Sequence, residues 1–350
     1  MLKVLIVDDS KLIRSMLREM IDSAPDLCVV SEAADPYDAR DKIKSLSADV
    51  LTLDIEMPKM NGITFLRNLM RLRPMPVVML STLTAQGAPA TLEALSIGAV
   101  DFLEKPKSNV LDALPRYTQV LIEKLRAAAG ANVSRFDAER TARIAKRNPT
   151  KTHAALSFRS NHIVAIGAST GGTEAIKDVV INLPDNFPPV VVTQHIPPVF
   201  STTYAERLNS LAAMRVFEAD DGQTIQSGCV YIAPGDKHLK ILRHGSTFMC
   251  KLEQSEPVNR HRPSVDVMFD SLVQLEVKDC TAVLLTGMGA DGAQGLLRLR
   301  QLGVNTLTQD EATCVVYGMP RAAVELGAAT QSLPLSRISD ALINAALKPA

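Results

Sequence analysis

The 350-residue chain is 46% hydrophobic and 22% charged, which suits two ordinary buried cores and argues against disorder as the default. Lysine plus arginine and aspartate plus glutamate each number 38, so the formal net charge of +0 gives no electrostatic case for nucleic acid or an anionic membrane; a protein or small-molecule partner is expected. The five cysteines, Cys28, Cys229, Cys250, Cys280 and Cys314, lack C-x-x-C spacing, which argues against a disulfide framework or structural zinc and fits a reducing cytoplasm.

The amino-terminal Met1 to Val7 meets Asp8-Asp9 at once, without the apolar region of a signal peptide, and no apolar run nears the roughly 18 residues of a membrane span. A cytoplasmic chain with no direct membrane insertion is expected. From Leu2 to about Leu125, short β-branched runs at Val4 to Val7, Cys28 to Val30, Val50 to Leu53, Pro76 to Leu80 and Val100 to Leu103 alternate with helical periodicity. That pattern predicts five βα units around a parallel sheet covered on both faces.

Residues 126–160 are rich in small and basic residues, among them Arg135, Arg140, Arg143, Lys146, Arg147 and Lys151, and read as a solvated, partly helical linker. A second βα series begins at Ile163 and continues through Val190 to Thr193, Cys229 to Ala233 and Ala282 to Thr286. Helices are expected at Thr173 to Asn182 and Ser201 to Leu211, and an antiparallel hairpin over His238 to Leu252. The fold class is therefore α/β, with two doubly wound parallel-sheet domains over 1–125 and 161–350: a flavodoxin-like domain, then a Rossmann-like three-layer domain with a β-hairpin attached.

In the first domain Asp8 and Asp9 close the first strand, Asp54 closes the third, Ser81 follows the fourth and Lys105 lies just beyond the fifth. Carboxyl ends of an open parallel sheet face one crevice, where three carboxylates repel one another unless a hard divalent cation sits among them. A Mg²⁺ pocket is expected. With that charge and Lys105 screening it, Asp54 can accept a phosphoryl group.

Val7-Asp8-Asp9-Ser10, Leu53-Asp54-Ile55-Glu56-Met57-Pro58, Leu80-Ser81 and Lys105-Pro106 closely resemble a two-component receiver domain. The resemblance implies phosphorylation at Asp54, Mg²⁺ on Asp9, Asp54 and the Glu56 carbonyl, phosphoryl contacts from Ser81 and Lys105, and a histidine kinase as donor. Phe102 stands where such domains carry a switch aromatic, so readout through a tyrosine hydroxyl is excluded.

The second domain opens with the run Ile163 to Gly172, a buried strand ending in Ser169 framed by glycines, which suits a nucleophile projected at a strand-to-helix turn. The rival reading is a Gly-rich phosphate cradle or a plain tight turn. His195 follows the second strand of the series, and Asp291 lies in the glycine-rich turn Gly287 to Gly292. Together they supply a base and an orienting acid. The order Ser, His, Asp differs from that of α/β-hydrolases. Amides around Thr170 and Met288 are candidate oxyanion donors, with core packing the alternative for Met288. His261 with Asp266 is a competing base pair, disfavoured by flanking arginines, in a segment better suited to lining the cleft. His153, His162, His238 and His244 show no metal spacing and are expected at the surface.

Gly167 to Gly172, Gln194 to Pro198, Pro257 to Asp266 and Leu285 to Gly292 resemble the effector of the chemotaxis protein-glutamate methylesterase family, and with the receiver the resemblance spans essentially the whole chain. It implies hydrolysis of glutamate γ-methyl esters on chemoreceptors, with glutamine deamidation in many members, through Ser169, His195 and Asp291. The alternative is a response regulator whose effector binds nucleotide, DNA or receptor without catalysis; the domain carries neither a basic recognition helix nor a Walker lysine.

Overall fold

The computed structural model describes residues 1–82, 84, 87–105, 114–131, 133, 156–245 and 247–348. It divides into two compact units, Met1–Arg147 and Asn148–Ala350. The basic residues singled out between 135 and 151, and His153, lie outside the described residues.

In the first unit, strands β1 (Leu2–Val7), β2 (Leu27–Ala33), β3 (Val50–Asp54), β4 (Val77–Ser81) and β5 (Asp101–Glu104) form one sheet in the order β2-β1-β3-β4-β5. Every pairing is parallel. Helices α1 (Lys11–Asp22), α2 (Pro36–Ser45), α3 (Gly62–Leu72), α4 (Ala88–Ile97) and α5 (Leu114–Ala129) alternate with them. Their starts follow local chemistry: Ser10, Asp35 and Asn61 each accept a hydrogen bond from an amide in the first turn of α1, α2 and α3. Helix α5 runs beyond residue 125 and buries Leu125 and Ala128, so the segment expected to begin a solvated linker there still packs on the first core. Strand order reverses at β1, and the crevice at that reversal lies between the ends of β1 and β3.

The second unit is built on β6 (Ile163–Ala168), β7 (Val190–Gln194), β8 (Arg215–Glu218), β10 (Cys229–Ile232), β13 (Cys280–Leu284), β14 (Asn305–Gln309) and β15 (Gln331–Leu333), in the order β15-β14-β13-β6-β7-β10-β8. All of these pairings are parallel too. The intervening helices are α6 (Gly172–Val180), α7 (Pro198–Asn209), α8 (Val265–Gln274), α9 (Ala293–Gln301), α10 (Met319–Glu325) and α11 (Leu335–Ala346). Strands β6, β7 and β13 are buried along their whole length, as central strands covered on both faces should be.

The alternating segment is a hairpin of β11 (His238–His244) and β12 (Thr247–Glu253), joined by β9 (Thr224–Ile225) into a separate three-stranded antiparallel sheet. Helix α8 packs on it, with the Ser271 hydroxyl accepting from the Ile241 amide at 2.9 Å. The chain enters the unit against its own carboxyl end: Phe158 bridges Leu347, and the Arg159 amide donates to the Ala346 carbonyl at 2.9 Å.

Two of the four histidines expected at the surface are buried. His162 is 1% exposed, its ring nitrogens 2.6 Å from Asp279 Oδ1 and 3.2 Å from Thr281 Oγ1, and His238 is 0% exposed. Each is satisfied by partners distant in the chain, as buried polar groups must be. His244 is exposed.

Candidate active site and receiver pocket

Ser169 follows β6, His195 follows β7, and Asp291 lies between β13 and α9, so the sheet order β13-β6-β7 sets three adjacent strand ends side by side. The Ser169 amide donates to the Thr286 carbonyl at 3.0 Å and the His195 amide to the Ala168 carbonyl at 3.1 Å, which joins the three turns by their backbones. His195 Nδ1 lies 3.1 Å from Ser169 Oγ, and Nε2 lies 2.8 Å from Asp291 Oδ2. The ring is thus reversed relative to the common serine-hydrolase arrangement, in which Nε2 faces the serine.

Asp291 is 2% exposed and richly solvated by protein. Oδ1 accepts from Asn259 Nδ2 at 2.7 Å, Ser264 Oγ at 2.7 Å and the Asp266 amide at 3.3 Å; Oδ2 accepts from the Val265 amide at 2.6 Å. The carboxylate therefore sits on the amino terminus of α8, where free amides and the helix dipole favour negative charge. Burial alone would raise its pKa, but the hydrogen bond and charge of His195, with Asn259 and Ser264, outweigh burial and hold it well below the usual carboxylate range.

Asp266 has donors of its own on the far side of the turn. It accepts from the Gly295 amide at 2.6 Å and from Asn259 Nδ2 at 2.7 Å, and burial, with the charge of Asp291, raises its pKa. The His261 ring stacks on His195, centroids 3.6 Å apart and 13° from parallel. The segment holding Asn259 thus supports the Asp291 carboxylate. That support comes from a turn in which Asn259 (φ 52°) and Arg260 (φ 68°) adopt left-handed backbone.

Thr170 and Met288 flank the serine. The Thr170 carbonyl accepts from Thr286 Oγ1 at 3.0 Å, and Thr170 is 6% exposed. Met288 is half-buried next to Gly287, where an added Cβ would stand 2.8 Å from Ser169 Cβ, closer than any side chain could approach.

In the first unit Asp8 and Asp54 are 0% and 1% exposed, while Asp9 is exposed. One carboxylate oxygen from each lies within 4.8 Å of the others. Lys105 Nζ is 2.8 Å from Asp54 Oδ2 and 3.2 Å from Asp8 Oδ2, an ion pair without aligned hydrogen bonds, so both oxygens are buried with no hydrogen-bond donor. An all-oxygen, anionic set with two orphaned buried oxygens fits a hard divalent cation. Burial, with the charge of Asp8, pushes the Asp54 carboxyl up to about 6 against the pull of Lys105. Burial would lower the Lys105 ammonium, but Asp54 and Asp8 more than reverse this and raise it.

The Glu56 amide donates to Asp54 Oδ1 at 3.2 Å. Ser81 is 2% exposed, and its hydroxyl accepts from Thr91 Oγ1 at 3.0 Å, a partner that no sequence signal indicated. A cavity of about 610 Å³ opens beside Asp54, with Glu56, Arg67, Ser81, Thr82 and Glu93 in its wall. Phe102 is 9% exposed, with Lys124 Nζ 5.9 Å from its ring centroid.

The family model described as CheB methylesterase matches residues 164–342, and the response regulator receiver domain matches residues 4–114. A protein-glutamate methylesterase/protein-glutamine glutaminase of Saccharophagus degradans is 55% identical, over 99% of either chain. The chain belongs to the CheB methylesterase family. A protein of the same designation from Hydrogenovibrio crunogenus is 49% identical over 98% of both chains. The crystal structure of the Thermotoga maritima CheB methylesterase catalytic domain is 41% identical, covers 53% of this chain and 99% of its own, and superposes with a TM-score of 0.52. Like its relatives, this CheB methylesterase family member is a hydrolase with an amino-terminal receiver domain. Among the described residues no helix is long and apolar enough to cross a membrane.

Proposed function

We propose that the chain is a phosphorylation-activated serine esterase of the cytoplasm, hydrolysing glutamate γ-methyl esters on chemoreceptors and deamidating receptor glutamines. The observation that carries this reading is the His195 ring, bonded at 3.1 Å to Ser169 Oγ and at 2.8 Å to Asp291 Oδ2. Asp291, kept ionised by its donors, selects the tautomer with the proton on Nε2, leaving Nδ1 as the acceptor facing the serine.

Ser169 Oγ attacks the ester carbonyl as its proton passes to His195 Nδ1. The imidazolium is stabilised by Asp291, and the amides of Thr170 and Met288 receive the oxyanion. Collapse expels methanol with the proton from His195, or ammonia from a glutamine. Water, deprotonated by the same imidazole, then clears the acyl-enzyme.

In the receiver, Asp54 is the phosphoryl acceptor and a histidine kinase the donor. Asp8, Asp9, Asp54 and the Glu56 carbonyl would hold Mg²⁺, whose charge would neutralise phosphoryl oxygens. Lys105 and Ser81 contact the phosphoryl group, and the cavity beside Asp54 gives it a way in.

The test is radiolabelled methyl-esterified receptor incubated with the full chain, with and without a small phosphodonor and Mg²⁺. Methanol release that rises with the phosphodonor is expected. Receptor binding without any release would favour a docking module instead.

A further inference from the structure

Gln194, the last residue of β7, is 3% exposed and spends its whole donor capacity on two backbone oxygens beside the triad. Nε2 donates to the Ser169 carbonyl at 2.9 Å and to the His195 carbonyl at 3.0 Å, linking turns 25 residues apart. The orientation of the amide is forced, because turning it over would set Oε1 against two carbonyl oxygens and lose both bonds. As placed, Oε1 is buried without any donor. The fold also makes room for it: a Cβ on Gly172, the first residue of α6, would stand 2.1 Å from Oε1 and 2.7 Å from Ala168 Cβ, so a side chain there would push the amide out of place. A buried amide that tolerates an orphaned oxygen and demands a glycine at the helix start is built for what Nε2 holds.

What Nε2 holds is the peptide between Ser169 and Thr170. In a planar trans peptide the C=O and the following N–H point in opposite directions. Fixing the Ser169 oxygen therefore fixes where the Thr170 N–H points. That oxygen accepts a second bond, from the Gly172 amide at 2.7 Å, so the plane is pinned by two donors. The second Nε2 bond sets the same plane relative to the turn that carries the base.

We propose that Gln194 is a positioning residue, which aims the Thr170 amide at the developing oxyanion and keeps it in register with His195. The inference rests on the triad reading given above and adds a residue to which that reading assigned nothing. A displaced oxyanion donor weakens stabilisation of the transition state while leaving ground-state binding alone, so the loss belongs in kcat rather than KM.

Two substitutions in the full chain test it. Gln194→Met keeps the bulk and removes the donors; Gln194→Glu keeps the shape and sets carboxylate oxygens against both carbonyls. Rates are measured with phosphodonor and methyl-esterified receptor, per active site counted by exhaustive labelling with a serine-directed fluorophosphonate. Both variants are expected to lose about 10- to 100-fold in kcat with KM within about twofold, a loss approaching that of deleting one oxyanion donor. The acid limb of the pH profile of Gln194→Met should stay where it is in the wild type.

If Gln194 only supports folding, melting temperature and active fraction fall while kcat per active site stays at the wild-type value; that result overturns the proposal. Should Gln194→Met not fold, the isosteric Gln194→Glu decides by the same criterion. Ser169→Ala is run in parallel. Methanol release persisting in Ser169→Ala defeats the triad reading itself, whereas a dead Ser169→Ala beside full kcat in the Gln194 variants defeats the positioning inference alone.

Discussion

Asp54 in the receiver and Asp291 in the effector are both buried carboxylates at the ends of parallel strands, 1% and 2% exposed. Each has an ionisable partner at 2.8 Å, Lys105 for one and His195 for the other. Yet Asp54 is pushed up to about 6 by burial, and Asp291 is held far below the usual range. The surroundings make the difference: at Asp54 the like charge of Asp8 adds to burial, while at Asp291 the hydrogen bond and charge of His195, with the Asn259 and Ser264 donors, outweigh it. Asp291 accepts from Asn259, Ser264 and the amides of Val265 and Asp266, whereas Asp54 accepts from the Glu56 amide and keeps Oδ2 without a donor. A group that must stay ionised and still is saturated with donors. In the function proposed, the group that takes a cation and a phosphoryl group keeps Oδ2 clear of aligned donors.

The contrast can be broken most forcefully on the effector side. Ser169→Ala should lower methanol release on the order of 10⁴- to 10⁶-fold while leaving Asp54 phosphorylation intact. Release at the wild-type rate would remove Ser169 from the chemistry. Asp291→Asn comes next, at about 10⁴-fold in kcat, because the amide no longer selects the tautomer that leaves Nδ1 free for the serine. It would also turn an NH₂ group toward the donors that now surround Oδ1 or Oδ2. A loss below about tenfold would mean that the dense donor shell does not serve catalysis.

Much of this was legible in the sequence. Ser169, His195 and Asp291 could be read because each stands just past an apolar run, and strands buried on both faces announce themselves as such runs. Strands β8, β14 and β15 gave no such signal. The sequence of β15 is Gln-Ser-Leu, that of β8 is Arg-Val-Phe-Glu, and β14 hides its burial in Thr306 and Thr308, both 0% exposed. Threonine fits a pleated surface as valine does, but a hydrophobic scan passes over it. The Asp291 shell was invisible for another reason: Asn259 reaches it only through a left-handed turn, 32 residues away in the chain. His162 misled because its partners, Asp279 and Thr281, lie on β13 or at its edge, and only strand pairing brings them beside β6.

On the receiver side the expected effects are smaller. Asp54→Asn should abolish the rise in esterase activity with phosphodonor while sparing basal turnover; a tenfold activation lost in this way corresponds to about 1.4 kcal/mol of coupling. Activation surviving in Asp54→Asn would place the phosphoacceptor elsewhere.

The smallest effect is the sharpest test of the comparison, because the same substitution should act with opposite sign at the two carboxylates. The folded-state pKa of Asp54, about 6, lies above its ordinary 3.8, so the folded receiver binds more protons than the unfolded chain between those values. Stability from this group is therefore full below about pH 4 and lost as the pH rises through about 6. In buffer without divalent cations, Asp54→Asn should raise the melting temperature at pH 7.5 by a few degrees, about 2 to 3 kcal/mol at most, and the gain should vanish near pH 4. Mg²⁺ added to the wild type should close the gap, since it supplies the orphaned oxygens with a partner. Asp291 runs the other way: its lowered pKa contributes stability above the ordinary carboxylate range, so Asp291→Asn should lower the melting temperature at pH 7.5. Equal signs for the two variants would show that burial, and not the supply of donors, governs both sites.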